Sequence, residues 1–360
     1  MRLAIVGTGL IGASVGLAAR AAGATVRGWD PDPAALSVAG EIGAVEPAAS
    51  LEAVLADAEL AVVAAPIGVL PATVQEVLAA AGEATTVTDV GSTKAAVCEA
   101  AGTSSRFVGG HPIAGLEAHG PGAAKADLFR GATWFLAPLA ATDPHRYRAV
   151  HGFVGSLGAT PVAIDPVAHD ALVAMTSHVP HVLANVVVNQ AGANRVEGHE
   201  PLAHAGGSLR DMTRIAGANP RIWVDIFLDN AEPVRAALTE HRRRIEQVEA
   251  ALASGDAGFL ARWIGEASTN RRRMLERDYP PGALQRLRVH IPDRPGVLAG
   301  ITQALGAERI NIEDFELHHV SPERGGTLTV LVIGEGEAQR AADILEAQGY
   351  GVVVSEVLDA

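Results

Sequence analysis

Gly7-Thr8-Gly9-Leu10-Ile11-Gly12 separates a short apolar run, Leu3–Val6, from an alanine-rich stretch. A strand must therefore hand over to a helix through a turn with almost no room for side chains. Gly7 permits the tight turn, Gly9 lets a backbone approach a pyrophosphate, and Gly12 lets helix and strand pack closely. The amides at the helix start then meet the phosphates with a partial positive charge. Thr8, Leu10 and Ile11 complete the loop, and all six residues are assigned to cofactor binding. The next β-like run, Thr25–Trp29, ends at Asp30, eighteen residues after Gly12, where a ribose-binding carboxylate belongs. No Lys or Arg follows Asp30 directly, because Pro31-Asp32-Pro33 comes next, and Arg27, earlier in the strand, is a poorer candidate for clamping a 2′-phosphate. NAD is favoured over NADP. Pro66, just past the run Leu60–Ala64, is assigned to the same cofactor site.

The alternation begun by this loop continues. Leu60–Ala64, Thr86–Asp89, Phe107–Gly109 and Thr133–Leu136 are β-like runs separated by helical stretches, a pattern that predicts parallel strands with crossover helices. Residues 1–165 read as a Rossmann-type α/β domain. Beyond Asp165-Pro166 the strand signals stop. Val167–Gly192, Ser208–Gly217, Pro220–Ser254 and Asp256–Arg277 carry helical spacing, so 166–280 reads as an all-helical block suited to half of an active site and a dimer interface. Tyr279-Pro280-Pro281-Gly282 reads as a linker. In 285–360, strands at 285–291, Arg309–Leu317, Thr327–Ile333 and Gly351–Val357 alternate with helices at Val297–Leu305 and Ala338–Gln348, a ferredoxin-like β-α-β-β-α-β order.

Composition narrows the partners. A net charge of −13 argues against nucleic acid and against a polybasic membrane contact. Cys98 is the single cysteine, so no intrachain disulfide forms, and a reducing cytoplasm fits. The apolar start after Met1-Arg2 reads as a strand and turn rather than a leader, because glycines interrupt it. No later segment reads as apolar over the eighteen or so residues that a membrane span needs.

The chemistry concentrates at a few positions. His111 ends the run Phe107-Val108-Gly109-Gly110, and Pro112 biases it to an extended backbone at the crevice beyond the strand ends. An imidazole beside a bound nicotinamide is placed to take a proton from an alcohol as hydride leaves the carbon. Ser92, in Gly91-Ser92-Thr93-Lys94, either caps the next helix or bonds that imidazole. Ser177-His178-Val179-Pro180-His181 puts two histidines on one helical face, for core or interface hydrogen bonding or for substrate contact; no third ligand stands nearby, so no metal is expected. Ser208 and Asp211 resemble a capping box, from which Arg210 and Arg214 project on one face as a carboxylate-binding pair. Trp223 reads as core more than as ligand contact.

Taken in order, Gly-Ser-Thr-Lys, Gly-Gly-His-Pro-Ile-Ala-Gly, Ser-His-Val-Pro-His, Asp-Met-Thr-Arg-Ile-Ala and Asn-Pro-Arg-Ile-Trp resemble the prephenate dehydrogenase family over roughly the first 280 residues. The resemblance implies a catalytic histidine at His111, a supporting serine at Ser92, a substrate-carboxylate arginine at Arg214, a second substrate-site histidine at His181, and further substrate contacts at Arg210 and Trp223. The implied reaction is NAD-dependent oxidative decarboxylation of prephenate in tyrosine synthesis. The tail, with Asp293-Arg294-Pro295-Gly296 and Ile310-Asn311-Ile312, resembles an ACT domain. That implies a homodimer and tyrosine as a feedback ligand, held near Asp293, Pro295, Gly296, Asn311 and Ile312. From the residues, Pro295 starts a helix whose free amides could hold a carboxylate. Three alternatives stand beside this reading. Arogenate could replace prephenate, with Asp211 as a conceivable contact for its ammonium. The chain could be a non-catalytic NAD- or amino-acid-sensing protein, against which intact His111, Ser92 and Arg214 argue. A β-hydroxyacid dehydrogenase would need a lysine within Val167–Gly217, and none is evident there.

Overall fold

A computed structural model describes residues 1–115, 118–275, 283–321 and 325–356. The chain divides into two compact units, Met1–Arg242 and Arg243–Ala360. The expected linker at 279–282 and the residue Val357 lie outside the described residues.

The first unit is built on strands β1 (Arg2–Val6), β2 (Thr25–Trp29), β3 (Glu46–Pro47), β4 (Leu60–Val63), β5 (Thr86–Asp89), β6 (Phe107–Pro112), β7 (Thr133–Pro138) and β8 (Thr160–Ala163), in spatial order β3-β2-β1-β4-β5-β6-β7-β8. Helices α1 (Leu10–Ala21), α2 (Pro33–Glu41), α3 (Leu51–Leu55), α4 (Leu70–Ala80), α5 (Ala95–Ala101) and α6 (Pro144–Ser156) intervene. Leu3 and Ile5 of β1 belong to the core on one sheet face, while Ala4 and Val6 belong to the core on the other. Burial on both sides makes these strands continuous apolar runs. The order reverses at β1, which pairs in parallel with both β2 and β4, so a crevice opens beyond its carboxyl end.

Two expectations for this sheet need correction. The strands are not all parallel: β7 runs antiparallel to β6, pairing His111 with Phe135. Among the described residues between them there is one 3₁₀ turn, Pro121–Ala123, and no crossover helix of the kind that joins parallel strands. The short strand β3 had no apolar run to announce it.

The helical region opens with α7 (Pro166–Val173), a π-helical turn (Ala174–His178) and α8 (Val179–Ala193), which join into one 28-residue helix, Pro166–Ala193. By length and composition this helix could cross a membrane, with a mean hydropathy of 1.5 over its most apolar window, so the expectation that no such segment exists is corrected. Polar residues such as His169, Asp170, His178 and His181 interrupt any unbroken apolar run, but a window average tolerates them. A core helix of a water-soluble protein passes the same test. Then follow α9 (Gly207–Met212), α10 (Pro220–Asp229) and α11 (Ala231–Ser254). The expected capping box does not form: α9 starts at Gly207 behind Gly206, without a side-chain cap, and ends at Met212 rather than Gly217. Arg214 therefore sits in the turn beyond α9, and it shares no helical face with Arg210.

In the second unit, α12 (Ala257–Leu275) precedes β9 (Leu284–Ile291), α13 (Val297–Ala307), β10 (Asp314–Ser321), β11 (Gly325–Ile333), α14 (Glu335–Ala347) and β12 (Gly351–Glu356). The strands form an antiparallel sheet in the order β10-β11-β9-β12. Leu287, Val289 and Ile291 alternate inward against Ile301, Leu305, Ala341 and Leu345 of the two helices. The β-α-β-β-α-β order is the expected one. Two details differ: Pro295 lies in the turn before α13, whose cap is the left-handed Gly296 (φ 89°), and β10 begins at Asp314, leaving Asn311 and Ile312 in the preceding connection.

Gly12 is the tightest contact in the nucleotide-type turn. A Cβ there would stand 1.9 Å from the Gly7 carbonyl oxygen, which Gly7 can present because its own φ is 95°. Gly12→Ala is expected to lower unfolding stability by about 1–3 kcal/mol, read as a lower urea midpoint with an unchanged slope.

Candidate active site

The cofactor side follows from the loop. Asp30, at the end of β2, is held across the turn by the Thr8 amide at 2.6 Å and its hydroxyl at 3.1 Å, while the Asp32 amide donates to its other oxygen at 2.8 Å. Gly9 caps α1 with no side chain, and a Cβ there would meet nothing within 4 Å. No side chain therefore takes the first amides of α1, which fit the cradle that a pyrophosphate needs. Arg27 is engaged elsewhere, donating to the Ala53 carbonyl at 2.7 Å, so it does not stand beside Asp30 as a phosphate clamp. Leu10 and Ile11 are half-buried along the opening turn, and Pro66 is exposed just beyond β4, the strand that neighbours β1. These residues fit a dinucleotide without a 2′-phosphate.

His111 lies on the same edge of the sheet, near the end of β6, about three strand spacings or roughly 14 Å from β1. Its approach is set by close packing. A Cβ on Gly110 would stand 2.4 Å from the Asp89 carbonyl oxygen, so β6 can press against β5 only with glycine there. The Gly110 peptide is then clamped at both ends. Its amide donates to Asp89 Oδ1 at 2.9 Å, and its carbonyl accepts from Lys94 Nζ at 2.7 Å. Asp89 and Lys94 are themselves paired and fully buried.

Behind His111 stands a second imidazole that sequence reasoning did not single out. His111 Nδ1 is 2.8 Å from His169 Nε2, and His169 Nδ1 is 2.8 Å from Asp170 Oδ1. Asp170 also accepts the amides of Lys94 at 2.7 Å and Ala95 at 2.8 Å, closing the N-terminus of α5. Asp170 therefore fills the capping use suggested for Ser92, and His169 takes the Nδ1 side of the His111 ring. Ser92 is half-buried in the loop after β5, and no hydrogen bond joins it to His111 among the described residues. The signal for the missed pair was the adjacent His169-Asp170 on a strongly apolar helix.

Farther along the same helix, His181 stacks on Trp223 with ring centroids 3.5 Å apart and donates from Nδ1 to the Ser177 carbonyl at 3.1 Å. His178 meets Trp223 edge-on at 5.9 Å, and its Nδ1 accepts from Asn230 Nδ2 at 3.0 Å. The same Asn230 amide donates to the Asp170 carbonyl at 2.9 Å. Trp223 and Ile226 carry α10 back onto the core beside Ile67 and Leu70. Hence His111, His169, Asp170, His178, His181 and Trp223 form one connected cluster. Arg210, on α9, and Arg214, in the turn after it, are both exposed. In the second unit, Asp293, Pro295 and Gly296 are exposed before α13, Asn311 donates to Glu313 at 2.6 Å, and Ile312 packs partly on the core.

The cluster disfavours a positive charge on His111, His178 and His181. Burial pushes the His111 imidazole well below the usual histidine range, and His169, Lys94 and His178 push the same way. Burial also lowers His181, against its bond to Ser177. For His178, burial brings the value down to about 4, despite the opposing charge of Asp170.

Comparison with known proteins bears on this arrangement. Residues 15–163 match the prephenate dehydrogenase nucleotide-binding domain, 165–266 the prephenate dehydrogenase dimerization domain, and 285–349 the ACT domain. The prephenate dehydrogenase of Bacillus subtilis (strain 168) is 31% identical over 356 residues, covering 96% of this chain and 95% of its own. Among solved structures, the prephenate dehydrogenase of Aquifex aeolicus in complex with hydroxyphenyl propionate and NAD+ is 27% identical with a TM-score of 0.71, covering 76% of this chain and 98% of its own. The arogenate dehydrogenase of Synechocystis is 27% identical with a TM-score of 0.70, covering 76% of this chain and all of its own.

The His178 shift gives acid sensitivity of known sign. The unfolded ring takes a proton near 6.5 and the folded ring only near 4, so the unfolded state binds protons first as pH falls. Stability is lost across that window, by up to about 3 kcal/mol. His178→Gln is expected to flatten the decline; urea midpoints measured across that range, for both proteins, check this, and parallel curves would refute it.

Proposed function

The chain belongs to the prephenate dehydrogenase family, and on that premise we propose how its own residues divide the work. The enzyme is an NAD-dependent oxidoreductase that converts prephenate to 4-hydroxyphenylpyruvate by oxidative decarboxylation. The observation that carries the assignment of roles is a neutral imidazole, His111, clamped at the end of β6 on the edge of the sheet that also carries the glycine loop.

Gly7, Thr8, Gly9, Leu10, Ile11 and Gly12 offer backbone amides to the cofactor's pyrophosphate, Asp30 accepts from its ribose hydroxyls, and Pro66 borders the same crevice. When bound, NAD supplies the acceptor for the hydride that leaves the hydroxyl-bearing ring carbon. His111 accepts the hydroxyl proton as that bond breaks. The ring carboxylate departs as carbon dioxide, its bonding electrons complete the aromatic ring, and His111 returns the proton to the oxygen that becomes the phenol. Aromatisation drives the step, so the protein chiefly aligns the partners. Arg214 and Arg210 receive the substrate's carboxylates. His181 and Trp223 contribute the stacked wall, and Ser92 supports the base from the substrate side.

The division 1–165, 166–280 and 285–360 assigns cofactor binding, substrate binding with dimerisation, and regulation in turn. The ACT domain takes tyrosine between paired copies near Asp293, Pro295, Gly296, Asn311 and Ile312, and the protein works as a cytoplasmic homodimer. Similarity to the Synechocystis arogenate dehydrogenase supports a second reading, in which arogenate is also oxidised. Initial rates of NADH formation decide between them. Prephenate is expected to be turned over faster than arogenate, with tyrosine lowering the rate; no NADH from either acid would refute the activity. His111→Asn is expected to cut kcat by about a hundred- to ten-thousand-fold with KM broadly intact, and near-normal turnover would remove His111 from the role of base.

A further inference from the structure

An imidazole can accept a proton only through a nitrogen that carries none, and the hydrogen bonds behind His111 decide which nitrogen that is. Asp170 Oδ1 receives the Lys94 amide at 2.7 Å and Oδ2 the Ala95 amide at 2.8 Å, so this carboxylate stands as an acceptor. His169 Nδ1, 2.8 Å from the same Oδ1, must bring the hydrogen to that contact. Carrying one hydrogen, the His169 ring then has only a lone pair at Nε2. His111 Nδ1, 2.8 Å away, must in turn donate, which leaves His111 Nε2 bare. The His169 ring has no exposed surface and is wedged edge-on against Phe135, with centroids 5.5 Å apart at 81°, so neither water nor a ring flip competes.

We propose that His169, oriented by Asp170, is a positioning residue that holds His111 in the tautomer with Nε2 unprotonated and free to face the substrate hydroxyl. This rests on the reading of His111 as the base and adds what makes the base ready before substrate arrives. An imidazole without a fixed partner samples both tautomers, and only one of them can accept through Nε2. Protonation at Nε2 leaves the bond from Nδ1 to His169 in place, so proton uptake needs no rearrangement behind the ring. The same carboxylate that orients His169 also closes the N-terminus of α5, which ties the relay to the loop that follows β5. Among the described residues, Lys94 from that loop and His178 from the π-helical turn also disfavour a positive charge on the His111 ring.

The test uses full-length protein labelled with ¹⁵N in histidine, with the His111 signals identified by their loss in His111→Asn. The expected spectrum has His111 protonated at Nδ1 and bare at Nε2. His169→Phe is expected to give a mixture of tautomers and a kcat lower by on the order of a hundredfold, with little change in KM for prephenate or NAD. His169→Gln, whose amide oxygen can accept where Nε2 stood, is expected to recover much of that loss. A wild-type ring protonated at Nε2 overturns the proposal, as does a folded His169→Phe protein with unaltered His111 signals and kcat. If neither variant folds, the wild-type spectrum alone decides. The two readings fail separately: an active His111→Asn enzyme removes the base but not the tautomer, and an inactive one with the opposite tautomer removes only the positioning role.

Discussion

Lys94 is the junction on which the site depends. Its ammonium, fully buried, reaches Asp89 and the Gly110 carbonyl, while its own amide is taken by Asp170. One residue thereby ties β5 and β6 to α7. Burying an ion pair costs desolvation that is repaid only when the remaining hydrogen-bonding capacity is used. Here it is used: Asp89 also accepts the amides of Gly91 and Gly110. What the pair contributes is geometry more than net stability, because it grips the peptide immediately before His111 at both its amide and its carbonyl.

The long apolar helix completes that geometry from the other side. The π-helical turn Ala174–His178 inserts a wider turn into it. Before that turn His169 faces His111, and at and beyond it His178 and His181 face Trp223. Asn230 bonds to both groups, to the Asp170 carbonyl and to His178. Burial makes such rings poor proton acceptors from bulk water, and it is also what leaves His111 uncharged and available to a hydroxyl brought next to it.

Legibility followed the range of the interaction. The glycine loop, Asp30 and the strand-helix alternation are local features, read from spacing because sterics within a few residues dictate them. The β-α-β-β-α-β order of the tail was legible for the same reason. The antiparallel β7 was not, since strand direction depends on how a loop crosses the sheet edge. The capping box at Ser208 failed because its pattern is permissive, and Gly206-Gly207 offered the backbone an earlier start. His169 and Asp170 escaped notice because they sit 58 residues and more from the groups they serve, within a helix whose composition reads as core.

The sequence by itself determined the dinucleotide fold, the preference for an unphosphorylated ribose and the candidate base, since each rests on residue types at short, steric spacings. Only the tertiary structure decided what stands behind that base. The bonds joining His111, His169, Asp170 and α5 link separate segments of the chain, and a hydrogen bond exists only where folding sets donor and acceptor within reach.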